Sequence, residues 1–217
     1  LGPKVDLHCH SVASDGLVEA EELARAAAGA GLSALAITDH DLPPVLGHGE
    51  RSYGDRSIRL IAGVELSTMH KERELHLLVY FSEAMPTDFA EWCRARARWR
   101  AAWFDECAQA LGIPEIQADA EAHAGRRTLT RLHLARAVVE HGISPNLRSA
   151  FNDHVGHSST IIPALNLSFM EALHAAKAAG GWTSWAHPPP ALADDWAAEF
   201  AEAGLDALPH LAFNHSG

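Results

Sequence analysis

His8 and His10 flank Cys9. On an extended strand residues two apart share a face, so both imidazoles can reach one metal ion while Cys9 turns away into packing. Asp15 lies five residues later in the turn Ser14-Asp15-Gly16 and is a plausible carboxylate ligand beside two histidines. Thr38-Asp39-His40-Asp41 closes an apolar run, where Asp39 either caps the next helix or acts as an outer carboxylate that fixes His40. Gly63-Val64-Glu65, His76 within Glu74-Leu75-His76-Leu77, and Ala186-His187-Pro188 complete the set. A carboxylate can place one oxygen on each of two ions, which makes Glu65 the natural bridge if two are bound. Any one of these histidines alone is more readily a surface or capped core residue. Together, His8, His10, Asp15, His40, Glu65, His76 and His187 read as an N/O-ligated site for more than one divalent ion. Imidazole and carboxylate without thiolate suit Zn, Mn or Fe(II).

The elements needed to hold these residues can be read from the apolar pattern. Val5 to His10, Leu32 to Thr38, Ile58 to Val64, Leu75 to Phe81, Trp182 to Ala186 and a stretch near Ala207 to Phe213 read as six strands. The first reads as a buried strand, and His, Asp or Glu stand near the tips of the first four. Val18 to Ala30 reads as a helix between the first two strands, with acidic residues in its first turns and Gly31 beyond its end. Strands alternating with helices under a polar rim predict a parallel α/β barrel or doubly wound sheet. From Thr87 to Ser159 the strand signal disappears, and Phe89 to Leu111 and Thr130 to His141 read as helices. The expected organisation is therefore 1–86 as the first part of a barrel, 87–160 as a helical insertion and 161–217 as the second part.

Composition narrows the function. The chain has 217 residues, with 17 basic and 28 acidic side chains and a formal net charge of −11, which excludes broad attraction to duplex nucleic acid. An anionic ligand then needs local cations or metal ions to reverse the field. Three cysteines without zinc-ribbon spacing argue against a disulfide framework. No apolar run approaches the roughly 20 residues of a membrane span and no leader pattern opens the chain, so a soluble cytoplasmic protein is expected. No GxSxG elbow supports Ser-His-Asp chemistry.

In this order, DLHCHSVASDG, ITDHD, GVELS, HLLVY and AHP resemble the successive motifs of the PHP (polymerase and histidinol phosphatase) superfamily of metal-dependent phosphoesterases. The sequence is most similar to stand-alone members with a helical insertion, which include nucleoside 3′,5′-bisphosphate phosphatases and 5′ to 3′ oligoribonucleotide exonucleases. The resemblance implies a distorted (β/α)7 barrel with two to three divalent ions at one mouth. His8, His10 and Glu65 would hold the first ion, Glu65, His76 and His187 the second, and Asp15 and His40 the third. TRLHLAR resembles the family's substrate-side helix, with Arg131 and His133 facing the phosphate, and His215 resembles a position near the substrate. The implied reaction is hydrolysis of a phosphate monoester on a nucleotide or short RNA end by a metal-activated water, with Glu65, His187 and Arg131 in catalytic roles.

Two departures qualify the resemblance. The family's closing Asp-x-His is not found, and the sequence ends Asn214-His215-Ser216-Gly217. A barrel without its last strand would leave bare edges, so the expectation is a sequence cut before its last ligands. Where related bisphosphate phosphatases carry lysines, the segment from Phe151 to Ser159 offers His154 and His157, which leaves the substrate open. The alternatives are a phosphatase for another small ester, such as histidinol phosphate or a sugar phosphate, and a degenerate, non-catalytic PHP domain.

Overall fold

Ala20, Ala24 and Ala28 recur every four residues and are buried, so helix α1 (Ala20–Gly29) lays a narrow small-residue stripe on a sheet. The sheet face beneath it is built by Leu35 and Ile37 of β2 (Ala34–Ile37) and Ile58 and Leu60 of β4 (Arg56–Leu60). The computed structural model describes residues 2–156 and 159–208. Its first sheet has the order β1-β2-β4-β3, with β1 (Val5–Cys9) parallel to β2, β2 parallel to β4, and β3 (Gly49–Tyr53) antiparallel to β4.

The second sheet is antiparallel, β5-β6-β7. Strands β5 (Ala62–His70) and β6 (Arg73–Phe81) join through Lys71 and Glu72, whose φ values of 45° and 65° form a tight hairpin turn. β7 (Trp182–Ala186) lies on the other side of β6. Helix α6 (Phe169–Ala178) starts in a Ser168–Glu171 capping box, and with α7 (Pro190–Glu202) it covers this sheet. Phe169, Trp185 and Phe200 are fully buried there; each phenylalanine contributes roughly 1.5–3 kcal/mol. The two sheets meet where His40 bridges Glu65 and the Asp41 N–H donates to the Glu65 carbonyl at 2.9 Å.

Between β6 and α6 come α2 (Thr87–Ala110), α3 (Ala120–His123), α4 (Arg131–Glu140), α5 (Leu147–Ala150) and a π-helical turn (Phe151–Val155). They pack around Trp103, Phe104, Leu134 and Val138.

Several sequence expectations need correction. The strand expected over 58–64 is two strands in different sheets, broken at Ile61, and β3 has no counterpart among the six expected strands. The expected parallel arrangement holds only for β1, β2 and β4, because a two-residue turn between β5 and β6 leaves no room for a crossover helix. Glu65 and His76 lie inside nine-residue strands, not at their tips. β1 is a largely exposed edge strand, with Val5 at 52% and Leu7 at 39% exposure, since it pairs only with β2 among the described residues. A closed barrel is not formed among the described residues. Ala207 begins to pair with Ser184, and 209–213 of the sixth expected strand lie outside them. No described helix is long and apolar enough to cross a membrane.

Candidate metal centre

Strand parity sets the first two ligands. His8 and His10 project to one side, and Cys9 turns to the other, where its Sγ meets the Ala36 carbonyl at 3.5 Å. Burial, with Asp6 and Asp39, pushes that thiol up to about 12, so Cys9 is a packing group. Gly63 brings β5 close to its neighbours: a Cβ there would lie 3.0 Å from both the Thr38 methyl and the Tyr80 ring. Glu65, two residues on, is thereby held at the junction of the two sheets with 1% side-chain exposure.

Each Glu65 oxygen faces its own pair of imidazoles. Oε2 lies 2.9 Å from His8 Nε2 and 2.9 Å from His10 Nε2, with His40 Nε2 at 3.7 Å. Oε1 lies 3.0 Å from His76 Nδ1 and 3.1 Å from His187 Nε2. Within each pair the ring nitrogens are themselves close, 3.2 Å for His8 and His10 and 3.3 Å for His76 and His187. Asp15 extends the cluster, 3.4 Å from His40 Nε2 and 3.7 Å from His10 Nδ1. Three sets of atoms are compact enough to share an ion: His8, His10 and Glu65; His10, Asp15 and His40; and His40, Glu65 and His76. His187 is the most exposed of the five histidines, at 62%. Its φ of 31° immediately before Pro188 is strained, at a cost of order 1–3 kcal/mol, and the chain tolerates it where the imidazole meets Glu65.

The donor set passes a chemical test for divalent ions. Nitrogen lone pairs that approach to 3.2–3.3 Å repel unless a proton or a cation lies between them. Without a cation, protons must do this work. Burial alone would raise the Glu65 carboxyl, yet His40, His10, His187 and His76 hold it well below the usual range. Burial opposes a charge on His76, but Glu65 and then Glu74 hold it up at about 10. His10 is raised by Glu65 against its burial, and Asp15 is lowered by His40 and His10 against its own. A cation on the same atoms replaces these protons and relieves the like-charge crowding.

Outer groups orient the rings. Asp39 does not fix His40. It accepts from Ser11 N at 2.8 Å and from the Ser11 and Ser14 hydroxyls, both at 2.6 Å, and Ser14 Oγ lies 3.4 Å from His10 Nδ1. His40 Nδ1 instead meets Ser67 Oγ at 3.3 Å. Gly16 closes this loop onto the Ser11 carbonyl, and a Cβ there would meet His10 O at 2.1 Å. Glu74 carries no signal of its own in the sequence beyond its place near His76. Being two residues from His76, it shares its face and contacts His76 Nε2 at 3.2 Å while its other oxygen accepts from Arg131 Nε.

Beside the cluster lies a cavity of about 180 Å³ whose lining includes Asp15, His40, His76, Arg100, Thr130 and Arg131. Arg131, expected to face phosphate, is on this wall, tied to Glu74 and to the Val155 carbonyl at 2.8 Å. His133 is not among the lining residues. Its Nδ1 accepts the Thr130 N–H at 3.0 Å in the α4 capping box, and burial, then Arg127, pushes it down to about 4. His215 and His157 lie outside the described residues.

Comparison with known proteins places this arrangement. A family model described as "PHP domain" matches residues 6–113. A 5′-3′ exoribonuclease of Haemophilus influenzae is 34% identical over 189 residues, which cover 85% of this chain and 69% of the relative. A 3′,5′-nucleoside bisphosphate phosphatase of Chromobacterium violaceum is 28% identical over 155 residues, 70% of this chain and 54% of the relative. A crystal structure assigned as a metal-dependent phosphoesterase from Bifidobacterium adolescentis shares the fold with a TM-score of 0.67 at 23% identity, covering 96% of this chain and 77% of that one. With the motif matched from strand β1 into the helical segment, and a relative of this identity and coverage, the chain belongs to the PHP family of phosphoesterases.

Proposed function

We propose that the protein hydrolyses a phosphate ester of a nucleotide or short oligonucleotide, either a 3′,5′-bisphosphate nucleotide or the 5′ end of a short RNA, with two to three divalent ions drawn from Mn, Zn and Fe. The observation that carries this reading is Glu65, buried, with each oxygen facing its own histidine pair beside an arginine-lined cavity. His8, His10 and Glu65 would hold one ion, Glu65, His76 and His187 a second, and Asp15 and His40 would contribute to a third. When bound, such ions supply Lewis acidity, lowering the pKa of water and drawing charge from phosphate oxygens.

The chain's own groups do the rest. Glu65 keeps the two histidine pairs at a fixed spacing, and Glu74 holds the His76 ring so that Nδ1 faces Glu65. Arg131, linked through Glu74 to the same histidine, presents positive charge on the cavity wall and offsets the charge of a phosphoryl group in transfer. Ser11, Ser14 and Asp39 hold the loop that carries Asp15. Overall, one water is consumed, a P–O bond breaks and the ester oxygen leaves with a proton. We read the two sheets as arcs of a distorted (β/α)7 barrel, with 87–160 as the helical insertion. We place the reaction in the cytoplasm, where free Cys9, Cys93 and Cys107 persist as thiols.

The test is hydrolysis of adenosine 3′,5′-bisphosphate and of short 5′-phosphorylated RNAs with added Mn. Release of inorganic phosphate or mononucleotide supports the reading. No release from either substrate by protein with full metal content contradicts it.

A further inference from the structure

Arg100 carries no signal in its sequence context, yet it is the most deeply buried cation of the described residues, at 1% exposure. It sits on α2 one turn after Arg96, on the face that packs inward. A buried guanidinium is costly unless its donors are used and its charge is balanced. Here both conditions are met only in part. Nε and Nη2 both donate to one acceptor, the Leu129 carbonyl, at 3.2 and 3.0 Å. The nearest carboxylate oxygen, Asp41 Oδ2, is 3.8 Å from Nε and has no hydrogen bond of its own. Nη1 has no hydrogen-bond partner among the described residues. A well-packed core would not keep such a group without compensation.

The place explains the group. Arg100 lines the same cavity as Thr130 and Arg131, and the candidate metal ligands His40 and His76 line it too. Trp103 braces both arginines: the Arg100 guanidinium lies 4.5 Å and that of Arg131 5.6 Å from its ring centroid, and its own N–H is anchored on the Pro163 carbonyl at 2.9 Å. Arg131 commits Nε to Glu74 and Nη1 to Val155, whereas Arg100 Nη1 is a buried donor with no partner among the described residues.

We infer that Arg100 is a substrate-contacting residue whose guanidinium donates to a phosphate oxygen in this cavity. The inference deepens the phosphoesterase reading and rests on it for the identity of the anion. It assigns the long helix α2 a part in the site: the helical segment supplies the anion contact and the sheets supply the metal ligands. Charge-assisted contact to a phosphate from a rigid, desolvated guanidinium is stronger than from a solvated one, so its loss is read in affinity.

The experiment compares wild-type protein with Arg100→Lys and Arg100→Met, all loaded with Mn, by calorimetric binding of inorganic phosphate and by its inhibition constant in adenosine 3′,5′-bisphosphate hydrolysis. Lysine keeps the charge near Asp41 and a donor for Leu129 but lacks the third donor, so this variant tests the contact without emptying the core. Phosphate affinity and kcat/KM should fall about tenfold in Arg100→Lys and further in Arg100→Met, with metal content and circular dichroism unchanged in Arg100→Lys. Wild-type phosphate affinity in a folded Arg100→Lys overturns the inference, as does a loss in Arg100→Met confined to its melting temperature. The two readings fail separately. If the wild type hydrolyses neither substrate but binds phosphate in an Arg100-dependent way, the reaction falls and the anion contact stands. If it hydrolyses the nucleotide and Arg100→Lys matches it in KM and phosphate inhibition, the contact falls and the reaction stands.

Discussion

The floor and the wall of the cavity solve opposite electrostatic problems. On the floor, one buried carboxylate is met by five histidines from β1, β6 and the segments just after β1, β2 and β7, an excess of donors that needs protons or metal ions. On the wall, Arg100 and Arg131 from the helical segment face two acidic groups, Asp41 and Glu74, and Arg100 Nη1 has no hydrogen-bond partner among the described residues. On the proposed reading the floor receives cations and the wall an anion, and a phosphate between them would satisfy both at once, which would reconcile a net charge of −11 with a phosphorylated ligand.

The largest break in this contrast comes from the centre of the floor. Glu65→Gln removes the carboxylate that both histidine pairs share, so both ions are lost together and kcat/KM drops on the order of 10³-fold or more. Metal analysis of the dialysed variant beside its kinetics checks it, and loss of one ion with the other retained would show that Glu65 serves only one side. Glu74→Gln acts at the seam between floor and wall, since Glu74 contacts both His76 and Arg131. We expect about 10–100-fold weaker Mn affinity together with a raised KM, a joint change that a group serving floor or wall alone would not give. Ser14→Ala loosens His10 and the loop held by Asp39, with a loss of only a few-fold in metal affinity and no change in phosphate affinity, measured by titration of each.

The smallest effect is a difference in pH dependence. In chelator-treated protein His76 sits at about 10, above its ordinary 6.5, so its contribution to stability is complete below pH 6.5 and is lost as pH rises toward 10. His133 on the helical side sits at about 4, so its contribution is complete above pH 6.5 and is lost as pH falls toward 4. Urea midpoints across this range should therefore fall on both flanks. His133→Asn should flatten the acid flank alone, and a flattened alkaline flank in that variant would contradict the assignment. Added Mn should reverse the alkaline trend, because its uptake displaces protons from the floor histidines.

The floor was far more legible in the sequence than the wall, and the reason is physical. His8 and His10 at strand spacing, Asp15 in a Ser-Asp-Gly turn, and lone histidines or acids beside apolar runs carry a local signature that does not depend on long-range packing. Six residues with that signature lie together around Glu65 in the structure. The setting of those residues was less legible. Glu65 and His76 look like strand-tip residues because Ile61 and the Lys71-Glu72 turn, which break the chain into an antiparallel hairpin, carry no proline or Asn-Gly signal. The ten residues between the expected strands, too few for a crossover helix, were the available clue. Arg96 and Arg100 hid for another reason: charged residues four apart on a helix read as its solvated face, and only tertiary packing turns that face inward. Arg131 was placed through family resemblance alone, and His133 proved to commit its Nδ1 to the helix cap.

The most direct test of the account is anomalous diffraction at the manganese edge from crystals grown with Mn and phosphate. It predicts at least two peaks on opposite sides of Glu65, one beside His8 and His10 and one beside His76 and His187, with phosphate density between them and Arg100. A single peak, or peaks that leave either Glu65 oxygen without an ion, would contradict it.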